Sequence, residues 1–387
     1  MTKITNLEMA DYGILTSRSR INIAMWLISL LLCCSLLACT SPGSVMQPRD
    51  QSKPGSTSTV NPELTPTLFP TATQTVEQAI NPYTIDGLRV HSYRSGKIKI
   101  GSILERNDDF VSYLIEYPSD GLMISGVLQF PIQGKAPFPV IILNHGYFYR
   151  GYYQSGDGTD RIARYLNRHG YLTISSDYRS WGDSGVGPSL FYSGLVIDVI
   201  NLINALPSLP QADPGRLGML GHSMGGGVTM KVLTIDSRVK AAVLYSTVSA
   251  DDSDLISRWG AGCIGDVREN ELLYGCNSSD ILPLNLPTDL LNAYQMAAYD
   301  PEMLRKISSI NNLEYISIPI QIGYGTEDGR YSNGTPPEWS RKLYDALLDA
   351  GVQAELFAYE GETHSFVGNE WVAFMERSAH FYDRYVK

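Results

Sequence analysis

Beyond residue 137 the chain alternates short, wholly apolar runs with longer stretches whose apolar residues recur at helical spacing. The runs cover residues 140–143, 172–175, 217–220, 241–245, 320–324 and 354–359. A strand apolar on both faces must be covered on both, which is the situation of a parallel sheet flanked by helices. The helical stretches cover residues 161–168, 195–206, 225–234, 338–350 and 371–385, and this alternation predicts right-handed crossovers. Two β-rich runs, residues 110–117 and 123–130, precede them and are joined by Pro118-Ser119-Asp120-Gly121, a turn sequence that predicts an antiparallel hairpin. The pattern therefore predicts an α/β fold with a mostly parallel central sheet and helices on both faces, in a domain spanning residues 85–387.

One connection is out of proportion. About 70 residues separate the strand ending near Tyr245 from the one starting at Ile320, far more than a structureless loop usually holds. Residues 250–316 are expected to form an inserted cap over the strand ends, with a helix across residues 289–298 and with Trp259, Tyr274 and Tyr299 as candidate wall residues.

The first 84 residues follow a different pattern. Lys3, Arg18 and Arg20 precede an apolar run over residues 21–37, which ends in Leu36-Leu37-Ala38-Cys39. This reads as an export signal, because the run falls short of the about 20 residues of a spanning helix. Leu-Leu-Ala-Cys resembles the bacterial lipoprotein signal, so residues 1–38 are expected to be a signal peptide and Cys39 the lipidated first residue of a membrane lipoprotein facing the extracytoplasmic side. An uncleaved signal anchor is the alternative. Residues 39–84 are rich in Ser, Thr and Pro and read as a disordered tether.

Composition and charge narrow the partners. The chain is 43% hydrophobic and 18% charged, with a net charge of −10, and clusters of Lys and Arg suited to a phosphate backbone are missing, so nucleic acid is not an expected partner. Five cysteines occur, of which Cys33 and Cys34 leave with the signal and Cys39 is the anchor. A disulfide between the remaining pair, Cys263 and Cys276, is expected in an oxidising compartment.

The strongest chemical signal is Gly221-His222-Ser223-Met224-Gly225 between a predicted strand and a predicted helix. A serine on such a sharp turn stands clear of the sheet, with the helix N-terminus facing the reacting carbonyl. A hydroxyl nucleophile needs a base, and the base an orienting carboxylate. Asp328 follows the strand over residues 320–324, and His364 follows the strand over residues 354–359, where sites in open α/β sheets form. Glu327 and Glu362 are the rivals of Asp328. Among six histidines, His145 and His222 read as structural residues beside core strands, and His91, His169 and His380 as surface or packing residues. Oxyanion donors are expected from the backbone N–H groups of Met224 and Tyr147. The aromatic cluster Tyr147, Phe148, Tyr149, Tyr152 and Tyr153 reads equally as pocket lining or as packing, and residues 177–184 read as a structural loop. No residue spacing implies a metal or a cofactor.

Asn144-His145-Gly146, Gly221-His222-Ser223-Met224-Gly225-Gly226, Gly325-Thr326-Glu327-Asp328 and Gly361-Glu362-Thr363-His364-Ser365-Phe366 together resemble the catalytic domain of the prolyl oligopeptidase family of serine peptidases, which includes dipeptidyl and acylaminoacyl peptidases. They are similar also to the dienelactone-hydrolase-like esterases. The resemblance covers about residues 108–387 and implies Ser223, Asp328 and His364 as a triad, with Tyr147 and Met224 at the oxyanion. Two departures are plain: the stretch between Cys39 and residue 108 is too short for the family's usual propeller, and a single glycine, Gly146, follows the histidine of the oxyanion loop. Residues 329–337 also lack the usual short apolar continuation. The expected function is hydrolysis of an ester or peptide amide bond through an acyl-enzyme, on a small-molecule ester or a short peptide. The alternatives are a carboxylesterase of the dienelactone-hydrolase type and a catalytically inactive tethered binding module; an enzyme of the haloalkane or epoxide type would require Asp in place of Ser223.

Overall fold

Apolar residues on alternate sides of the same strands pack into two separate clusters, and that alternation organises the domain. The computed structural model describes residues 74–387 apart from residue 95, residues 265–276 and residue 284, all within the unit Pro70–Lys387. Its main sheet has nine strands: β1 (Lys99–Arg106), β2 (Phe110–Ser119), β3 (Leu122–Pro131), β4 (Phe138–Asn144), β5 (Leu172–Ser176), β6 (Ala212–His222), β7 (Ala241–Tyr245), and two later strands described below. Two short cap strands come next, β8 (Gly262–Ile264) and β9 (Asn277–Leu282), then the main-sheet strands β10 (Ile320–Gly325) and β11 (Ala354–Tyr359).

The order across the sheet is β1-β2-β3-β5-β4-β6-β7-β10-β11. The first three strands and the β3–β5 pairing are antiparallel, and the remaining pairings are parallel. The chain leaves β4 for β5 on one side and then returns to β6 on the other. The crevice at the C-terminal ends of β4 and β6 is therefore the switch point where ligands of open α/β sheets bind.

Val140 and Ile142 of β4 face one cluster, while Ile141 and Leu143 face the other. The first cluster is covered by α4 (Ser193–Ala205), α5 (Met224–Ile235) and α9 (Pro337–Asp349), and the second by α3 (Asp160–Arg168) and α10 (Gly368–Tyr385). Full burial of side chains such as Leu195, Leu343 and Phe374 stabilises each interface by about 1.5–3 kcal/mol per residue. The expected α/β architecture with helices on both faces is thus the observed one.

The segment over residues 250–316 has its own structure: α6 (Asp252–Trp259), the parallel pair β8 and β9, α7 (Thr288–Ala297), α8 (Pro301–Ile307) and two short 3-10 turns. It has a core of its own, with Leu282, Tyr294, Met303 and Ile307 buried around Phe191.

Two expectations need correction. Order begins before Ile85, because Thr75 caps α1 (Val76–Ile80) with a reciprocal box to Gln78, and fully buried Ile80 joins the cap core. Residues 75–84 are therefore structured, where a disordered tether was expected. Strand β1 also escaped the periodicity: it is an edge strand whose residues are almost all exposed, so nothing selects an apolar alternation. Cys39, Cys276 and Tyr274, and with them the signal, the lipid anchor and the disulfide, lie outside the described residues. No described helix is long and apolar enough to cross a membrane.

Candidate active site

Ser223 sits between β6 and α5 with φ 55° and ψ −122°, a conformation that costs a residue carrying a Cβ about 1–3 kcal/mol. Close backbone packing sustains it. Its N–H donates to the Tyr245 carbonyl (3.0 Å), and its own carbonyl accepts from Gly226 (2.9 Å) and Val248 (3.1 Å). Gly225 passes so near the β4 loop that a Cβ there would lie 2.0 Å from the Asn144 oxygen, and a Cβ on Gly221 would lie 2.2 Å from the Gly225 oxygen. Only glycine fits at these two points.

Ser223 Oγ lies 2.8 Å from His364 Nε2. On the other side of the ring, His364 Nδ1 lies 3.0 Å from Asp328 Oδ2 and 3.2 Å from Oδ1. The three side chains come from the loops after β6, β10 and β11. Those loops are tied together by Glu327 N–H donating to the Glu362 carbonyl (2.9 Å) and Gly361 N–H donating to Thr326 Oγ1 (2.9 Å). Phe366 N–H also donates to the Tyr245 hydroxyl, which pins the histidine loop to β7.

The rival carboxylates point elsewhere. Glu362 accepts from Val367 N–H (2.9 Å), and exposed Glu327 lies 3.8 Å from Arg330. Burial disfavours the charged form of Asp328, but the facing His364 imidazole and the bonds from Thr335 and Gly329 outweigh it and hold its carboxyl below the usual carboxylate range. His222 packs against the ring of His364 at 4.9 Å and donates from Nε2 to the His364 carbonyl (3.0 Å). Burial, reinforced by the neighbouring His364, pushes His222 down to about 3, so it stays neutral and does not oppose a positive charge on His364.

The loop after β4 lies directly against the serine. A Cβ on Gly146 would be 3.1 Å from Ser223 Cβ and 3.2 Å from His222 Nδ1, which puts the backbone leading into Tyr147 beside Ser223. Met224, as the first residue of α5, has an N–H without an intrahelical acceptor. Part of the aromatic cluster packs rather than lines: Tyr153 stacks on His145 at 4.7 Å and Phe148 lies 6.0 Å from it, while Tyr152 is 82% exposed. The loop over residues 177–184 has the structural role read for it. Asp177 accepts from Ser125 Oγ (2.6 Å) and the Tyr153 hydroxyl (2.8 Å), and buried Arg179 pairs with Asp198 (2.8 Å).

Of the candidate wall residues, Trp259 donates from Nε1 to the Ser332 carbonyl (2.7 Å) and stands edge-on to Trp339, so it packs against the acid loop; Tyr299 is exposed. One residue at the site was missed. Thr335 is buried against Asp328, and its only trace in the sequence is the framing Gly334-Thr335-Pro336-Pro337 in a segment noted merely for lacking apolar continuation. Among the described residues no group of His, Cys, Asp and Glu is arranged to hold a metal ion.

The sheet order, the strained serine turn and the three converging loops define an α/β-hydrolase fold of the kind shared by serine peptidases and esterases. Residues 136–272, about a third of the chain, match the family described as "Serine aminopeptidase, S33". The chain is 27% identical over 277 residues to the uncharacterized peptidase YuxL of Bacillus subtilis (strain 168), covering 67% of this chain and 37% of that protein. Among solved structures it is similar to the acylaminoacyl peptidase of Pyrococcus horikoshii (TM-score 0.52, 19% identity, 72% of this chain and 42% of that one). It is similar also to an acetyl xylan esterase from Paenibacillus sp. R4 (TM-score 0.53, 17% identity, 78% of this chain and 92% of that one). The chain spans less than half the length of the curated relatives it matches first.

Proposed function

We propose that this protein is a serine hydrolase that cleaves an ester or amide bond through an acyl-enzyme. The observation that carries the reading is the 2.8 Å contact between Ser223 Oγ on its strained turn and His364 Nε2, with Asp328 on the far ring nitrogen. In this reading Asp328 fixes the tautomer in which His364 Nδ1 carries the proton, leaving Nε2 free to take the proton of Ser223 as Oγ attacks the carbonyl. The tetrahedral oxyanion is held by the N–H groups of Met224 and Tyr147. His364 then returns the proton to the leaving alcohol or amine, and a water deprotonated by the same nitrogen releases the acid.

The substrate is a small ester or a short peptide. YuxL and the acylaminoacyl peptidase are named as peptidases and the Paenibacillus protein as an acetyl xylan esterase, and both chemistries pass through the same oxyanion. Comparing kcat/KM on p-nitrophenyl acyl esters with aminoacyl and dipeptidyl p-nitroanilides separates them, with Ser223→Ala as blank. Ester turnover alone makes it a carboxylesterase, comparable anilide turnover makes it a peptidase, and activity equal to the blank throughout leaves the binding module.

The leader suggests where it works: residues 1–38 as an export signal and Cys39 as the acylated residue of an extracytoplasmic membrane lipoprotein. Mass spectrometry of the membrane fraction tests this. A chain beginning at a diacylated Cys39 supports the anchor, and a chain retaining residues 1–38 overturns it in favour of an uncleaved signal anchor.

A further inference from the structure

Asp328 is held by more than His364. Its Oδ1 accepts the N–H groups of Gly329 (2.7 Å) and Thr335 (2.9 Å), and its Oδ2 accepts the Thr335 hydroxyl at 2.7 Å. One threonine thus donates to both carboxylate oxygens, once from its backbone and once from its side chain. The loop over residues 329–336 is shaped to bring it there. Gly329 is left-handed (φ 78°), and a Cβ on it would lie 2.6 Å from Pro336 Cα, while a Cβ on Gly334 would lie 2.6 Å from Asp328 Oδ1. The loop therefore folds back over the acid at two glycines and continues into α9 at Pro337.

The Thr335 hydroxyl has one proton and two acceptors, since the Ser246 carbonyl lies 3.0 Å away. The carboxylate, shorter and charged, takes the proton, because a charge-assisted bond is about twice as strong as a neutral one. The hydroxyl also sits 3.4 Å from His364 Nδ1, on the edge of the Asp328–His364 contact itself.

We infer that Thr335 is a positioning residue of the hydrolytic site: its hydroxyl holds the Asp328 carboxylate in the plane and rotamer that face His364, and draws off part of its charge. The inference rests on Ser223, His364 and Asp328 acting as proposed above. Other titratable groups near the acid are His222 and Tyr245, whose hydrogen bonds run to the His364 carbonyl and the Phe366 N–H rather than to Thr335.

Thr335→Val is isosteric, keeps the backbone donor and removes only the hydroxyl, whereas Thr335→Ser keeps the hydroxyl and removes only the methyl. Loss of a bond to a charged group predicts about a ten- to hundredfold fall in kcat/KM for the valine variant, and a change within about threefold for the serine variant. The Thr335 hydroxyl is one of the groups that hold the Asp328 carboxyl below the usual carboxylate range. Without the hydroxyl its negative charge is less stabilised and it binds a proton more tightly, so the acid limb of the valine variant moves up by about half to one pH unit. The protonation midpoint of Asp328 is followed without substrate by NMR, through the response of the neighbouring ring resonance that disappears in His364→Ala. An upward shift of that midpoint in Thr335→Val and its return in Thr335→Ser is the expected result. Full activity and an unmoved midpoint in the valine variant, with the loss falling on the serine variant, would mean that Thr335 only packs and would overturn the inference. If Ser223→Ala kept wild-type turnover, the proposed nucleophile would fail instead, and the NMR midpoint would still decide the role of Thr335.

Discussion

Arg258, in the last turn of α6, donates to the backbone carbonyls of Tyr331 (3.0 Å) and Gly329 (3.2 Å). Together with Trp259 on the Ser332 carbonyl, it ties the cap to the outer side of the loop whose inner side carries Asp328 and Thr335. The first helix of the inserted segment therefore grips the backbone that follows Asp328. Arg258→Ala removes two bonds from a half-buried guanidinium, a loss of about 1–2 kcal/mol. A fall in kcat/KM of about tenfold, with Tm lowered by only a few degrees, is expected from steady-state kinetics and a thermal melt; unchanged kcat/KM would show that the grip is structural alone.

Strain at Ser223 predicts a gain on removing it. Its φ of 55° and ψ of −122° lie where a Cβ is unfavourable and glycine is not. Ser223→Gly is expected to be inactive yet more stable than Ser223→Ala by about 1 kcal/mol in denaturant unfolding. Equal stability of the two variants would show that the turn holds no strain.

Two buried groups predict opposite pH windows. Burial pushes Asp280 up to about 6, with the Tyr294 hydroxyl (2.6 Å) and Lys231 opposing and Asp252 adding to the rise. The folded state then binds more protons than the unfolded state between about 4 and 6, so stability is present in full below that range and lost as pH rises through about 6. Asp280→Asn is expected to gain on the wild type by about 2 kcal/mol on going from pH 4 to pH 8, read from melts at both. His222 works the other way. Its folded value of about 3 lies below the ordinary 6.5, so its contribution is intact above that value and lost as pH falls toward 3. Its ring is partly open to solvent, which limits the loss to about 2 kcal/mol. A wild type that loses no more stability than His222→Asn between pH 7 and pH 4 would contradict this.

Much of the architecture was legible before the structure. The apolar runs fell on the six parallel strands because a doubly covered strand has to be apolar on both faces, a constraint that acts residue by residue. Ser223, Asp328 and His364, which the structure brings within hydrogen-bonding distance of one another, stood out for a related reason: each stands just past the C-terminal end of a strand whose own pattern is strong. Strand β1 and helix α1 were not found, since an exposed edge strand and a five-residue helix carry too little periodicity to register.

What the sequence determined by itself is the alternation of the six parallel strands with their helices, the long insertion after Tyr245 and the positions of Ser223, Asp328 and His364 along the chain. Local hydrophobic period and strand-end placement are properties of neighbouring residues, so a linear pattern can carry them. Only the tertiary structure decided that Asp328 rather than Glu327 or Glu362 faces His364, that Thr335 completes its shell, and that Arg258 holds the loop from outside. Those choices depend on which way a loop backbone turns. That in turn is set by hydrogen bonds between segments far apart in the chain, such as the 73 residues from Arg258 to Tyr331 and the 89 from Thr335 to Ser246.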